Sequence, residues 1–547
     1  MSVFTWNNLL RYLHFTGLAI VMVALPFSNF FMSFGMFWLA GVCVLQVSTD
    51  IARKQPVLNR LKQFTSNSSA VLMSVLFLLP LLGLLWTQNF DYAMWDLRMK
   101  VPLLVLPLLI SFTNPITQGE FRALIGLFII AVVVAVMWCL QVYWIGSPEI
   151  DGDVRKISVF ISHVRFSLLI ALALGMLVRF AHGSAQGRIL IVLCALPCLY
   201  FIYIIGSITG AIGLGALLLW AGIRYLIAQK NNSSRLIVGA TLLLLFATTL
   251  VYVFSLYRNY FTVESSDWNS LELKTPRGEV YAHHAEFRLI EDGHYVMTYV
   301  AWGELYNAWN ERSEVHPDSS DARGHILKGT LIRYLASKGL RKDADGVEAL
   351  TDGDIDAIEA GIPTSADAHM HGLRKRLHRI FFEWSNYRAG GDPDGHSVTQ
   401  RLEFWKTAAW IIRRNFWTGV GTGDVKEEFR EAYIATNSPL SEQYRLRAHN
   451  QYLTMWITYG VLGFLVFVLI TCWPLLTAHV RDPLVVMIVL LAALSYLTED
   501  TLESQAGVMF VAFFYSLFTT KRVVSLVELR RPKSKGKSPL SDAQERK

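Results

Sequence analysis

The chain has 547 residues, of which 53% are hydrophobic and only 17% charged. That composition excludes a single soluble domain of this size and places the chain in the polytopic membrane class. The formal charge of +7 does not point to nucleic acid, because Lys and Arg collect beside apolar runs and in the C-terminal tail, where membrane topology accounts for them.

A bilayer core of about 30 Å takes roughly 20 apolar residues as a helix. Twelve runs are predicted helices on this basis: 13–30, 31–48, 69–87, 101–114, 122–143, 159–180, 188–206, 208–226, 236–255, 456–476, 483–498 and 505–521. The first two are separated only by Pro26, Ser28 and Asn29, which predicts a tight hairpin. No small-residue cleavage site follows the first run, so a cleavable signal peptide is not expected. Cys43, Cys139, Cys194, Cys198 and Cys472 all fall within apolar runs and read as packing residues, without a disulfide framework.

Cytoplasmic loops retain basic residues. With the amino terminus inside, Arg53, Lys54, Arg60, Lys62, Arg179, Arg188, Arg224, Lys230, Arg235, Arg481 and the tail "KRVVSLVELRRPKSKGKSP" share one side. The opposite loops are poorer: "EDTLES" has no basic residue, and Arg98, Lys100, Arg155 and Lys156 are accompanied by Asp91, Asp96, Asp151 and Asp153. Both termini are therefore expected inside and the long polar segment outside. The expected plan is an all-α polytopic protein of about twelve spans: a membrane region 1–255 of about nine helices, an outward loop domain 256–455 between spans nine and ten, a membrane region 456–521 of about three, and a basic tail 522–547.

The outward segment has helical spacing of its own. "HILKGTLIRYLASKGLRKD" predicts an amphipathic helix ending at Gly339, and "LTDGDIDAIEAGIP" a short one stopping at Gly361-Ile362-Pro363. "GEVYAHHAEFRLIEDGHYVMTYVAW" predicts a hairpin around Asp292-Gly293. Further on, Leu402, Trp405, Ala409 and Ile412 give a helix with one apolar face, expected to lie along the membrane surface, with Arg401 at its beginning.

Several residues carry candidate chemistry, each with a bland alternative. "GVGTGD", with Gly419, Gly421 and Gly423, either exposes amides to an anion or makes a structural turn; it lacks the Lys-Ser/Thr of a nucleotide-binding loop. His449-Asn450 sits where the chain re-enters the membrane, after Arg445 and Arg447, and a lone His is usually structural. His163 and Arg165 lie near the outward end of the sixth run. An Arg there costs about 2.5–3.5 kcal/mol on insertion scales, so it takes an anionic partner or snorkels to the interface. Ser207 and Thr209 open the eighth run, where helix packing through small residues is the favoured reading.

These residues resemble the O-antigen ligase and polymerase family of bacterial membrane glycosyltransferases. The resemblance rests on Arg401 followed four residues later by Trp405, then "GVGTGD", His449-Asn450 and "YGVLGF", over about the last third of the chain. It implies transfer of a glycan from an undecaprenyl-diphosphate carrier to a lipid A-core acceptor at the periplasmic face of the inner membrane, without metal, nucleotide or other cofactor. It implies catalytic roles for Arg401, on the diphosphate, and His449, as the acceptor's base. Many members have Ser-Arg where this chain has Ser207-Ile208, so Arg165 is the expected substitute, with His163, Asn450, Gly421 and Gly423 as further diphosphate-binding candidates. The segment 262–395 is longer than the usual ligase loop and is expected to serve acceptor selection.

Arginines suit this chemistry because their planar forks pair phosphate oxygens and stay charged beside a low-dielectric surface. An imidazole suits proton removal near neutral pH. The competing enzymes are an O-antigen polymerase and a protein oligosaccharyltransferase, and the competing non-enzyme is a transporter, which would place ionisable residues deep in several spans.

Overall fold

The computed structural model describes residues 6–146, 154–263, 270–284, 286–520 and 523–524. Asp151, Asp153 and almost all of the expected basic tail lie outside the described residues.

Every one of the twelve apolar runs is helical. The amino-terminal hairpin is α1 (Trp6–Ala24) and α2 (Asn29–Ala52), pressed together where a Cβ on Gly17 would meet Leu39 and one on Gly35 would meet Val21. The short α3 (Leu58–Thr65) precedes α4 (Ser68–Leu76) and α5 (Leu78–Leu82), which continue into a 3-10 turn at Gly83–Leu85. Then come α6 (Phe90–Phe112), α7 (Gln118–Ile145), α8 (His163–Ala181), α9 (Ala185–Ile205), α10 (Ile208–Ala228) and α11 (Asn232–Phe261). Among the described residues, eight helical stretches suffice by length and composition to cross a membrane: α2, 68–85, α7, α8, α9, α10, α11 and 451–476. Two later apolar helices, 483–498 and 505–520, are shorter.

Several boundaries differ from expectation, α1 running Trp6–Ala24 rather than 13–30 and α11 Asn232–Phe261 rather than 236–255, and the largest difference is in α6. The run expected at 101–114 begins at Phe90, because Asn89 accepts from the Tyr92 amide at 3.0 Å as an N-cap and Asp96 pairs with Lys100 one turn on, at 2.7 Å. Asp91, Asp96, Arg98 and Lys100 are thus helical residues rather than loop residues.

The polar segment after α11 folds around its own core of Trp309, Leu331, Tyr334, Leu335, Val347 and Ile358. It contains α12 (Trp302–Asn310), α13 (Leu327–Ser337), α14 (Ala344–Glu348), α15 (Asp352–Glu359), α16 (Ser365–His369) and α17 (Gly372–Arg388). The expected stops hold: Gly339 and Gly361 take φ of +68° and +72°, which a glycine adopts without strain. The expected hairpin is a pair of two-residue strands, Ile290–Glu291 and His294–Tyr295, turning at Asp292 and Gly293. Tyr260 near the end of α11 donates to Glu291 Oε1 at 3.0 Å and packs with Phe381 of α17, tying this unit to the bundle.

The chain returns through α18 (Ser397–Arg414), α19 (Val425–Ala435) and α20 (Gln451–Cys472), then α21 (Pro483–Thr498) and α22 (Gln505–Thr520). The buried face of α18 is Phe404, Ala408 and Ile411, packed with Phe429 and Tyr433 of α19 and Ile457 of α20. Of the apolar face expected along the membrane surface, Trp405 and Ala409 are exposed, Leu402 is half-buried and Ile412 is buried, while α19 covers the Phe404 side.

Candidate functional site

The start of α18, the turn before α20 and the short loop between α21 and α22 meet at one point. Arg401, in the first turn of α18, donates through Nη2 to the Thr498 carbonyl at 3.2 Å and lies 3.4 Å from Glu499 Oε1. His449 Nδ1 lies 3.6 Å from the other oxygen, Oε2, an ion-pair distance rather than a hydrogen bond. Arg165, near the start of α8, is within electrostatic range of Glu499 and Asp500. Two residues named from sequence, Arg401 and His449, therefore meet at one carboxylate, with Arg165 within electrostatic range of it.

Burial pushes the Glu499 carboxyl up, but the His449 contact and the positive charges of Arg401 and Arg165 outweigh it and hold the group below its ordinary value. The two guanidiniums are not saturated by this carboxylate. The Nε–H groups of Arg401 and Arg165 are both buried without a hydrogen-bond partner among the described residues, and each such donor costs about 1–3 kcal/mol until an acceptor reaches it.

His449 is held in a strained backbone conformation, with φ of +46°, at a cost of about 1–2 kcal/mol for a residue with a Cβ. Asp500 enforces it. Its carboxylate accepts from the amides of His449 and Asn450, each at 3.1 Å, and from Thr454 Oγ1 at 2.7 Å. Trp405 donates to the Ala448 carbonyl at 3.0 Å, and the Phe404 ring stacks on the imidazole with centroids 5.7 Å apart. The Arg-x-x-x-Trp spacing thus places the guanidinium and the anchor of the histidine turn on one helix.

Next to this point lies a second charged group. Glu503 lies 2.9 Å from Lys100 and 3.0 Å from Arg447, and Lys100 also pairs with Asp96. The two acids and two bases balance, and the Gln451 carboxamide accepts from the Leu502 amide at 2.6 Å. This network locks the loop carrying Glu499 and Asp500 to the outer end of α6.

The remaining expected binders also make contacts within the fold. Asn450 caps α20, its side-chain oxygen accepting from the Tyr452 and Leu453 amides at 3.0 and 3.2 Å, so its carboxamide is committed to the fold. The anion-binding reading of "GVGTGD" is corrected. The Gly421 amide donates to Thr458 O at 3.0 Å and the Gly423 amide to Thr87 Oγ1 at 2.7 Å, while Gly419, Val420 and Thr422 donate to other carbonyls. The loop is a clasp. Asp424 accepts from the Gln88 and Asn89 amides, each at 2.8 Å, and Gly419 packs where its Cβ would lie 2.5 Å from the Thr458 carbonyl. Gly460 answers it: α20 kinks there with φ of +67°, and a Cβ would lie 2.0 Å from Trp417 O. His163 opens α8, its carbonyl accepting from Ser167 Oγ at 2.7 Å. Ser207 caps α10, and Gly210 brings that helix against Ser167, as the packing reading expects.

Glu499, Asp500 and Glu503 were not singled out from sequence. The available signal was a run of acids immediately after an apolar stretch, on the side expected to hold the arginines.

No curated protein matches the chain. Residues 360–468, which run from the end of α15 to the kinked part of α20 and include Arg401 and His449, match the family model described as O-antigen ligase.

Proposed function

We propose that this chain is an O-antigen ligase-type glycosyltransferase that moves a glycan from undecaprenyl diphosphate to a lipid A-core hydroxyl at the periplasmic face of the inner membrane, with about twelve spans and both termini cytoplasmic. The observation that carries the reading is the meeting of Arg401 and His449 at Glu499, with Arg165 within electrostatic range and two buried guanidinium N–H donors left without an acceptor among the described residues. A diphosphate between the two guanidiniums would supply those acceptors. The basic ends of α2, α8 and α10 lie at the opposite end of the bundle, where Arg224 donates to the Arg481 carbonyl at 3.3 Å, which supports the orientation.

In this reaction the bond from the anomeric carbon to the diphosphate oxygen breaks as the bond to the acceptor oxygen forms, with inversion. The electron pair leaves with the diphosphate, whose growing charge Arg401 and Arg165 neutralise. The acceptor's proton passes to His449 Nε2, since Nδ1 faces Glu499. Glu499 orients the ring and stabilises the imidazolium, the role a buried carboxylate plays beside a catalytic histidine.

The test is transfer in vitro from a purified lipid-linked donor, with lipid A-core, a lipid-linked repeat or an acceptor protein offered in parallel. Arg401→Ala is expected to abolish transfer while the protein still inserts, and Arg165→Lys to retain part of it. Wild-type rates in Arg401→Ala would remove the guanidinium from the mechanism. Lipopolysaccharide from a deletion strain distinguishes the family's two reactions: core without polymer is the ligase result, and core capped by one repeat is the polymerase result.

A further inference from the structure

Between α17, the outer end of α9 and the 3-10 turn at Val154–Ile157 are two adjoining cavities of about 280 and 440 Å³, in the size range of small-molecule sites. Both are walled by Arg155, Arg323, Arg376 and Arg379, and the smaller also by Lys375. Among the described residues only two carboxylates line them, Asp367 and Glu383. Asp367 already lies 3.2 Å from Arg379 and 3.6 Å from Lys375, and Glu383 lies 3.5 Å from Arg376 and accepts from the Val398 amide at 2.8 Å. The cations outnumber the acids that line the walls.

Burial and neighbouring positive charges act in the same direction on these side chains. Burial pulls the Arg376 pKa down, Glu383 opposes this, and Arg155, Arg379 and Arg401 add to the depression. Burial likewise lowers Lys375, with Asp367 opposing and Arg379 and Arg323 reinforcing. Several guanidiniums held together at such a cost are a binding arrangement for a multiply charged anion.

The position is also specific. Gly206 ends α9 in a left-handed turn, and a Cβ there would lie 3.2 Å from the Gly372 carbonyl and 3.3 Å from Arg376 Cβ, so α17 is pressed onto the end of α9. Arg376 donates to the hydroxyl of Ser397, the first residue of α18, one turn before Arg401. The cavity is therefore a neighbour of the Arg401–His449 centre but does not share its residues.

Because the carrier diphosphate is assigned to Arg401 and Arg165, we infer that the cavity walled by Arg155, Arg323, Lys375, Arg376 and Arg379 binds a phosphoryl group carried by the other substrate, the acceptor. That the carrier of the group is a substrate rests on the proposed transferase reading; that the cavity binds phosphoryl groups does not.

The first experiment measures pyrophosphate binding by calorimetry to the full-length, detergent-solubilised chain bearing Arg401→Ala and Arg165→Ala, so that the transfer centre is disabled. Binding is expected to persist and to weaken by about tenfold or more when Arg323→Gln and Arg379→Gln are added, the loss of two charge-assisted contacts. Arg323→Lys with Arg379→Lys is expected to restore part of it, which separates charge from folding. Unchanged affinity in the Gln variant, or no binding in its parent, overturns the inference whether or not the chain is a transferase. The second experiment takes the Arg323→Gln, Arg379→Gln chain with the transfer centre intact. A KM raised about tenfold for the acceptor, with the rise absent after phosphatase treatment of the acceptor, identifies an acceptor phosphate as the ligand. A wild-type KM for the acceptor, or a rise for the lipid-linked donor alone, overturns the assignment.

Discussion

The indole of Trp405 donates to the carbonyl of Ala448 at 3.0 Å, so the helix that carries Arg401 also holds the residue preceding His449. The two partners of the proposed reaction are thereby set at a common spacing. Trp405→Phe keeps the ring and removes the donor. Its kcat is expected to fall about tenfold with little change in KM, the cost of one hydrogen bond felt in geometry rather than binding. Steady-state kinetics on both substrates check this, and an unchanged kcat would make the contact a packing feature only.

Glu499 sets an acid limit. Its folded pKa is depressed below the ordinary 4.5, burial being outweighed by His449, Arg401 and Arg165. A depressed carboxyl contributes stability that is complete above its unfolded value and lost as pH falls through the folded one. Thermal melting of the solubilised protein is therefore expected to decline on acidification below about 4.5. Glu499→Gln is expected to melt lower at neutral pH and to show a shallower acid decline; parallel curves for the two proteins would contradict this.

The glycine clasp is a steric device. Gly460→Ala would place a Cβ 2.0 Å from Trp417 O on a residue with φ of +67°. The left-handed conformation and the overpacking together cost about 3 kcal/mol or more. A lowered melting temperature and reduced yield of folded protein are expected for this variant, whereas Gly126→Ala, where nothing lies within 4 Å of the new Cβ, is expected to be silent.

Within the unit built around Trp309 and Leu335, Lys342 is buried and donates to the Tyr295 carbonyl at 3.0 Å; burial brings its pKa from 10.5 down to about 7, against the opposing pull of Asp343. Between those two values the unfolded chain binds more protons than the folded one, so the unit gains stability as pH rises from about 7 to 10. At or below neutral pH the penalty for burying the charge is present in full, and Lys342→Met is expected to raise stability there by about 2–4 kcal/mol. Chemical denaturation at pH 6 and pH 9 reads the difference, which is expected to shrink at the higher pH.

Much of the architecture was legible from short stretches of chain. The twelve apolar runs are helices, Asp292-Gly293 is a turn, and Gly339 and Gly361 stop helices in left-handed conformations. Such features depend on residues close in sequence, whose periodicity and backbone preferences act before any tertiary contact forms. Where helical periodicity was ambiguous, as in α18 with apolar residues on two sides, the packing of α19 decided which face was buried.

For the site, sequence by itself supplied the candidates: Arg165, Arg401 and His449 and their order along the chain. Tertiary structure alone decided that they share Glu499, that Asp500 holds the histidine turn, and that the glycine amides serve a clasp rather than an anion. The reason is physical. An acid at the end of an apolar run carries no local mark of its partner; the charge it meets is set by which helix ends are packed together.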